Sequence, residues 1–213
     1  MNRVPNPLIA ELAADLEPVR PLKLIHGIVL VTLAAAVTVV AVEAIDGLWR
    51  GIFAGRAAPF FFVTNGMLAI LGAAASLAVV RMGTPHVGNT HDGARWSFVM
   101  LVLLPITAGM ILLSQGSFAQ VLHDQYGVEC FVSGTAFGLI TAAALTMWLR
   151  HGAPVSINSA GWYTGIASGA IGSVAFGLAC PIDTVGHLGI WHVAPVAVSA
   201  IIGRLVVPSL VRW

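Results

Sequence analysis

Six long apolar runs occupy most of this chain and decide which folds it can adopt. They cover residues 22–43, 58–80, 97–114, 128–149, 159–179 and 186–210. A helix needs about 20 mainly apolar residues to cross the hydrocarbon of a bilayer, and each run is that long or nearly so. Backbone groups inside a bilayer must bond within their own segment, so these runs are predicted to be helices rather than strands. We therefore expect an all-α membrane protein with six transmembrane helices in residues 22–213.

Composition agrees with a membrane protein and argues against a nucleic-acid-binding surface. Hydrophobic residues make up 58% of the 213 residues and charged residues only 9%, whereas a soluble domain carries about 25% charged residues. The net charge of +1 provides no basic patch for a phosphate backbone, so we expect no direct contact with nucleic acid. The first run is too long for the apolar core of a cleaved signal peptide, and we expect it to remain a span.

Lysine and arginine residues lie mostly on one side of the six predicted spans. The side that holds both termini and the second and fourth loops carries eight of them, and the other side carries only Arg50 and Arg56. Basic residues are enriched in cytoplasmic loops, so both termini are predicted to be cytoplasmic. The eight residues are Arg3, Arg20, Lys23, Arg81, Arg95, Arg150, Arg204 and Arg212.

The segment before the first span, residues 1–21, is predicted to contain a short amphipathic helix. One stripe of that helix consists of Leu8, Ile9, Leu12 and Leu16. Pro7 suits the first helical position and Pro18 suits the end of the helix. A short helix with an apolar stripe, and no adjoining segment to cover it, is a candidate binding segment. Its weakly acidic polar face argues against a helix that lies on the bilayer surface.

The two cysteines occupy matching places in the six-span arrangement. Cys130 opens the fourth run and Cys180 closes the fifth, so both are predicted at the outer membrane boundary. The outer compartment of a bacterium permits disulfides, and a bridge would require the two helix ends to be neighbours. Two interpretations stay open: a redox or metal-linked pair, or two cysteines buried as small hydrophobic side chains.

Three further residues near these cysteines are candidate metal ligands. His187, His192 and Asp183 could join the two thiolates in a soft-metal site, because cysteine and imidazole suit copper or zinc. Other outer residues near this site are His123, Asp124 and Glu129. No spacing matches a dedicated zinc motif. The sequence therefore assigns no cofactor.

Small residues recur at every fourth position of the fifth run. They are Gly161, Gly165, Gly169, Ser173 and Gly177. Such a ridge lets another helix approach closely, so we expect a helix-packing seam. The spans have no carboxylate at their centres, and the chain has no phosphate-binding loop or serine-hydrolase motif. Transport and catalysis are both disfavoured on these grounds.

Several motifs resemble those of the NrsF family of integral-membrane anti-sigma factors. The first motif is Leu8-Ile9-x-x-Leu12-Ala13-x-Asp15-Leu16-x-Pro18-Val19-Arg20-x-Leu22. The others are Cys130 at the head of the fourth run, Arg150-His151-Gly152-Ala153-Pro154, Cys180-Pro181-x-Asp183 followed by Ile190-Trp191-His192, and Val211-Arg212-Trp213. The resemblance covers nearly the whole chain.

The resemblance implies a multi-pass protein of the bacterial inner membrane that sequesters an extracytoplasmic-function sigma factor. It implies release of that partner on a periplasmic oxidative or heavy-metal signal, with Cys130 and Cys180 as sensing residues. The sigma-facing residues would be Leu8, Ile9, Leu12, Asp15, Leu16, Pro18 and Val19. Whether the protein forms a homo-oligomer stays open. The alternative is a small redox or metal-handling membrane protein built on the outer cysteines and histidines.

Overall fold

A computed structural model describes residues 7–14, 22–84, 95–114 and 124–211. Within these ranges the chain forms eight helices and no strand, which confirms the predicted all-α class. The helices are α1 (Pro7–Ala14), α2 (Leu24–Ile45), α3 (Pro59–Met82), α4 (Arg95–Ser114), α5 (Gly127–His151), α6 (Ile157–Gly177), α7 (Val185–Trp191) and α8 (Ala194–Val211).

The six apolar runs correspond to helices α2 to α8, and the sixth run is divided between α7 and α8. Four stretches of the described chain are long and apolar enough to cross a membrane: Leu24–Ile45, Pro59–Met82, Gly127–His151 and Val185–Val211. α4 contributes the shorter apolar stretch Pro105–Ser114. α6 has 21 residues but is rich in glycine and serine, and it is not among the four. Six crossings therefore stay a prediction.

α6 is the central helix of the bundle, and it packs against α8, α5 and α3. A Cβ on Gly165 would collide with the backbone oxygen of Ser199, and a Cβ on Gly161 or Gly169 would also come too close to the backbone of α8. The predicted seam is thus confirmed for these three glycines, whereas Gly177 faces α3. A helix surrounded by protein needs small side chains more than apolar ones, which explains the composition of α6.

The sixth run is interrupted by a turn at His192 and Val193. Pro195 is the second residue of α8, a position where its missing N–H forfeits no helical hydrogen bond. Proline inside a helix commonly kinks it, but here the sixth run breaks into two helices just before Pro195. The break leaves His192 inside the protein, where it is 1% exposed.

Packed neighbours run in opposite directions where α6 meets α3, α5 and α8, which gives the bundle two distinct ends. At one end, Gly27 of α2 lies against Val80 and Trp148, and the Trp148 indole N–H donates to the Val80 carbonyl over 3.0 Å. α2 begins at this end. The residues Lys23, Arg81 and Arg150 lie at helix ends here, and they define what is named the basic end.

The opposite end is named the cysteine end, because Cys130 and Cys180 lie there. The chain between α2 and α3 covers part of it. The backbone N–H of Trp49 donates to the Leu178 carbonyl over 2.8 Å, which ties this connection to the end of α6.

The N-terminal helix α1 begins at Pro7, as the sequence predicts. Leu8 on this helix is 60% exposed. For Ile9 and Leu12 the structure describes the helical backbone only. The remaining predicted sigma-facing residues lie outside the described part of the chain: Asp15, Leu16, Pro18 and Val19.

Candidate functional site

The structure brings Cys130 and Cys180 together in the interior of the cysteine end. Cys130 lies in the first turn of α5, and Cys180 follows the end of α6 by three residues. Their Sγ atoms are 3.6 Å apart. Both are free thiols and both are buried, at 5% and 4% exposure. Proximity alone is compatible with a redox pair, a metal site or two packed small side chains.

His187, on α7, contacts both thiols. Its Nε2 atom lies 3.2 Å from Cys130 Sγ and 3.4 Å from Cys180 Sγ. On the other side of the ring, Nδ1 lies 2.6 Å from Oδ2 of Asp124. An ionised carboxylate can only accept, so Nδ1–H donates to Asp124, and Nε2 on the opposite side of the ring faces the two sulfurs.

Asp124 is itself held in place by the turn that precedes α5. Its Oδ1 atom accepts a hydrogen bond from the backbone N–H of Tyr126 over 3.0 Å, which leaves Oδ2 for His187. The sequence placed Asp124 among the acids near the candidate ligands but did not pair it with His187, and His123, named with them, lies outside the described residues. The available signal was its position six residues before Cys130, in a predicted outer loop.

His192 completes the cluster from the turn between α7 and α8. Its ring centroid is 5.4 Å from that of His187. Among the described residues, its buried Nε2 atom has no hydrogen-bond partner. One ligand atom from each of Cys130, Cys180, His187 and His192 lies within 4.8 Å of all the others. These four side chains are named the thiol–imidazole cluster.

Asp183, the third candidate ligand, is not part of this cluster. Its Oδ2 atom accepts a hydrogen bond from the backbone N–H of Ala58 over 2.7 Å. Ala58 immediately precedes α3, so this bond ties the start of α3 to the connection between α6 and α7. The structure therefore gives Asp183 an architectural contact, and it places His187 and His192 with the thiols.

Hydrogen bonding within the pair favours charge on one of the two sulfurs. The Cys130 thiol donates toward Cys180 and so holds the pKa of Cys180 below its ordinary value. His187 and His192 act in the same direction, and burial acts against them. These contacts therefore favour a single negative charge on the pair.

A cleft of about 410 Å³ reaches the two cysteines from the surface of the cysteine end. Two of the residues that line it are exposed acids, Asp46 and Glu129. Within the described part of the chain, no lysine or arginine lines it. Carboxylates at the mouth of a cleft raise the local concentration of cations, so this cleft is suited to admitting a positively charged species.

α2 contacts the same region through Val42. This side chain is fully buried and belongs to one apolar cluster with Cys130 and Cys180. At its other end, α2 begins just after the N-terminal segment, at Leu24. One helix of 22 residues therefore joins the surroundings of the cysteines to the segment predicted to bind a partner.

Comparison with known proteins places this architecture in a family. The model of the family described as "NrsF: Negative regulator of sigma F" matches residues 12–213. That match begins at Leu12, so Leu8 and Ile9 precede it.

Two relatives have curated names. "Anti-sigma-F factor NrsF" of Caulobacter vibrioides is 30% identical over 161 residues, which cover 73% of each chain. "Probable anti-sigma-F factor NrsF" of Azospira oryzae is 23% identical over 156 residues, again 73% of each chain. No solved structure matches this chain.

Proposed function

The chain belongs to the NrsF family of negative regulators of sigma F, and from this premise we propose that it sequesters an extracytoplasmic-function sigma factor at the inner face of the bacterial cytoplasmic membrane. The observation that carries the proposal is the family match over residues 12–213, which includes every helix from α2 to α8. A regulator of this kind acts by binding, so we propose no catalytic step.

The two ends of the bundle support the proposed orientation. α2 starts at the basic end. α6 also starts there, because it follows the end of α5 after a short connection. α8 ends there, since Gly161 near the start of α6 lies against Gly203 and Pro208. Basic residues favour the cytoplasmic side of a membrane. We propose that the basic end faces the cytoplasm and that the cysteine end faces the periplasm.

Residues 1–21 are the proposed sigma-binding segment. The exposure of Leu8 on α1 supports a partner-binding role for the apolar stripe. Burying four or five such side chains against a partner contributes roughly 6–12 kcal/mol gross, and ordering the segment costs about 2–5 kcal/mol of this. The remainder of about 1–10 kcal/mol corresponds to reversible capture, which reaches micromolar affinity only in the upper part of this range.

The proposed signal acts at the cysteine end, on Cys130 and Cys180. A change at these sulfurs would alter the packing of Val42 and so the position of α2, which leads directly to the sigma-binding segment. Moving a two-state equilibrium from 1:99 to 99:1 takes about 5.5 kcal/mol. Forming a disulfide or binding a metal at two thiolates supplies energies of a few kcal/mol or more.

Co-purification of a sigma factor with the full-length protein tests the binding role. We expect the wild-type protein in detergent to retain a sigma factor from lysate, identified by mass spectrometry. Leu12→Asp combined with Leu16→Asp is expected to abolish retention, because two charges would enter the stripe that the sigma factor buries on binding. Ala14→Asp is the matched control, since position 14 lies on the opposite face of the same helix. Equal retention by the double variant and the wild type would contradict the proposal.

A second candidate function is favoured by the thiol–imidazole cluster: a small redox or metal-handling membrane protein. In that case the N-terminal substitutions would leave every cellular phenotype of the protein intact, whereas substitutions at the cysteines would not. The N-terminal substitutions and the cysteine substitutions together therefore separate the two functions.

A further inference from the structure

We propose that Cys130, Cys180, His187 and His192 form a closed binding site for one soft d¹⁰ metal ion of the class Zn(II), Cd(II) or Cu(I). This inference deepens the sensing part of the proposed function, and it rests on that function only for its regulatory consequence. The ligand set itself is argued from distances and burial in the cluster.

The distances within the cluster fit a tetrahedral site. With metal–sulfur bonds of about 2.3 Å and metal–nitrogen bonds of about 2.0–2.1 Å, two sulfurs lie about 3.8 Å apart and a sulfur and a nitrogen about 3.6 Å apart. The two Sγ atoms are 3.6 Å apart, and His187 Nε2 lies 3.2 and 3.4 Å from them. In an occupied site these three separations would lengthen by about 0.2–0.4 Å, and the His192 nitrogen, which lies within 4.8 Å of the other ligand atoms, would move closer to them.

The two imidazoles are the observation that a disulfide does not explain. A thiol pair that cycles between reduced and oxidised forms needs no histidine whose free nitrogen is buried beside it. His192 Nε2 is buried without a hydrogen-bond partner among the described residues, which is costly for a polar group. A metal ion bound by that nitrogen removes this cost.

Asp124 provides the outer support that metal-binding histidines need. A histidine that binds metal through one nitrogen commonly donates its other N–H to a carboxylate, which fixes both the tautomer and the direction of the ring. His187 has this arrangement, with Nδ1–H directed to Asp124 and Nε2 directed to the sulfurs. Asp124 is a positioning residue here, because Nε2 rather than the carboxylate faces the cluster.

The charge of the site and the cleft that leads to it both favour a cation as the ligand. Both thiols give up their protons to solvent when a metal binds, and the two thiolates then balance a divalent ion in a buried setting. The cleft with Asp46 and Glu129 at its surface leads to these sulfurs. Cysteine and histidine ligands together select thiophilic ions over Mg²⁺ or Ca²⁺, which prefer oxygen.

The test measures metal binding by the tag-free, full-length protein in detergent, reduced and stripped of metal beforehand. Zn(II), Cd(II) and Cu(I) are added separately, each in competition with a chromophoric chelator of known affinity. We expect one equivalent to bind, and we expect Cd(II) to produce a thiolate-to-metal absorption band. Cys130→Ser or Cys180→Ser should halve that band, because one of the two Cd–S bonds is lost.

The histidine variants separate the four-ligand site from a two-cysteine site. His187→Gln and His192→Gln should keep both Cd–S bonds at saturation, yet each should weaken binding more than the roughly 10–100-fold typical of a second-shell change. Asp183→Asn and His151→Gln are the matched controls, since neither side chain belongs to the cluster, and both should bind as the wild type does. Helical circular dichroism and elution volume establish that each variant is folded.

Three outcomes would overturn the proposal. The first is that none of the three ions binds to the folded protein. The second is unchanged binding in both cysteine variants, and the third is equal weakening in Asp183→Asn. Failure here is distinguishable from failure of the proposed function, because metal binding is measured without a sigma factor and sigma retention is measured on the metal-free protein.

Discussion

The imidazole of His187 donates through Nδ1 to Asp124 over 2.6 Å, and this bond joins residues that are 63 positions apart in the chain. It fixes the direction of the ring so that Nε2 lies between the sulfurs of Cys130 and Cys180. The connection before α5 and the helix α7 are thereby held together at the cysteine end. The contact gives the cluster a defined geometry before any ion binds.

Replacing Asp124 by asparagine should weaken metal binding without removing a ligand. The amide keeps the size of the side chain and can still accept from Nδ1–H, but it lacks the negative charge that strengthens the bond. We expect the affinity for Zn(II) to fall about 10–100-fold, with the Cd–S absorption band unchanged at saturation. Chelator competition provides the measurement, and an affinity equal to that of the wild type would show that Asp124 does not position His187.

Oxidation should join Cys130 and Cys180 within one chain. Their Sγ atoms are 3.6 Å apart, so diamide can take two electrons and two protons from the pair and leave a disulfide. Mass-tag alkylation should show two modified thiols before oxidation and none afterwards. Bound Zn(II) should slow the reaction, because ligated thiolates are less available for attack. If the thiols stayed fully reduced, or formed bridges only between chains, the described arrangement of α5 and α6 would be wrong.

A methyl group on Gly165 should destabilise the bundle. Its Cβ would meet the backbone oxygen of Ser199 on α8, and a backbone atom cannot move aside as a flexible side chain can. Gly165→Ala should lower the free energy of unfolding by about 1–3 kcal/mol, visible as a lower melting temperature in detergent.

Gly66 on α3 is the matched control, since a Cβ there meets nothing within 4 Å. Gly66→Ala should be neutral or slightly stabilising, because alanine favours the helix more than glycine does. Equal destabilisation by the two substitutions would mean that the α6–α8 seam is not closely packed.

Val42 should transmit the state of the cysteines to α2. Val42→Ala removes two methyl groups from a fully buried site beside Cys130 and Cys180. We expect this variant still to bind metal and still to bind sigma factor. Bound metal should change its retention of sigma factor less than in the wild type. Val40→Ala is the control, since Val40 is 66% exposed on the same helix. Equal coupling in both variants, measured as sigma retention with and without Zn(II), would exclude this route.

The helices were the part of the fold that the sequence could predict. An apolar run must become a helix in a bilayer whatever it packs against, so local composition was sufficient. The glycine ridge of α6 was predictable for the same reason, because small residues at every fourth position leave room for one neighbour. The break within the sixth run was harder to predict, since Pro195 is compatible either with one kinked helix or with the start of a second helix.

The composition of the site depended on contacts that spacing does not show. Cys130 and Cys180 could be paired because each lies at a helix end on the same predicted side. Asp183 and Asp124 could not be ranked in this way, since both lie in predicted outer connections. The structure separates them by contact: Asp183 accepts from the backbone of Ala58, and Asp124 accepts from His187.

Sigma release from the full-length protein in nanodiscs, which leave both faces accessible, tests the central claim most directly. The complex is loaded in the metal-free state, Zn(II), Cd(II) or Cu(I) is added, and the sigma factor in solution is measured. We expect at least one of these ions to release it from the wild type, while Cys180→Ser retains it at the same concentration. Retention by both proteins with every ion, or equal release from both, would contradict a regulator controlled through its thiol–imidazole cluster.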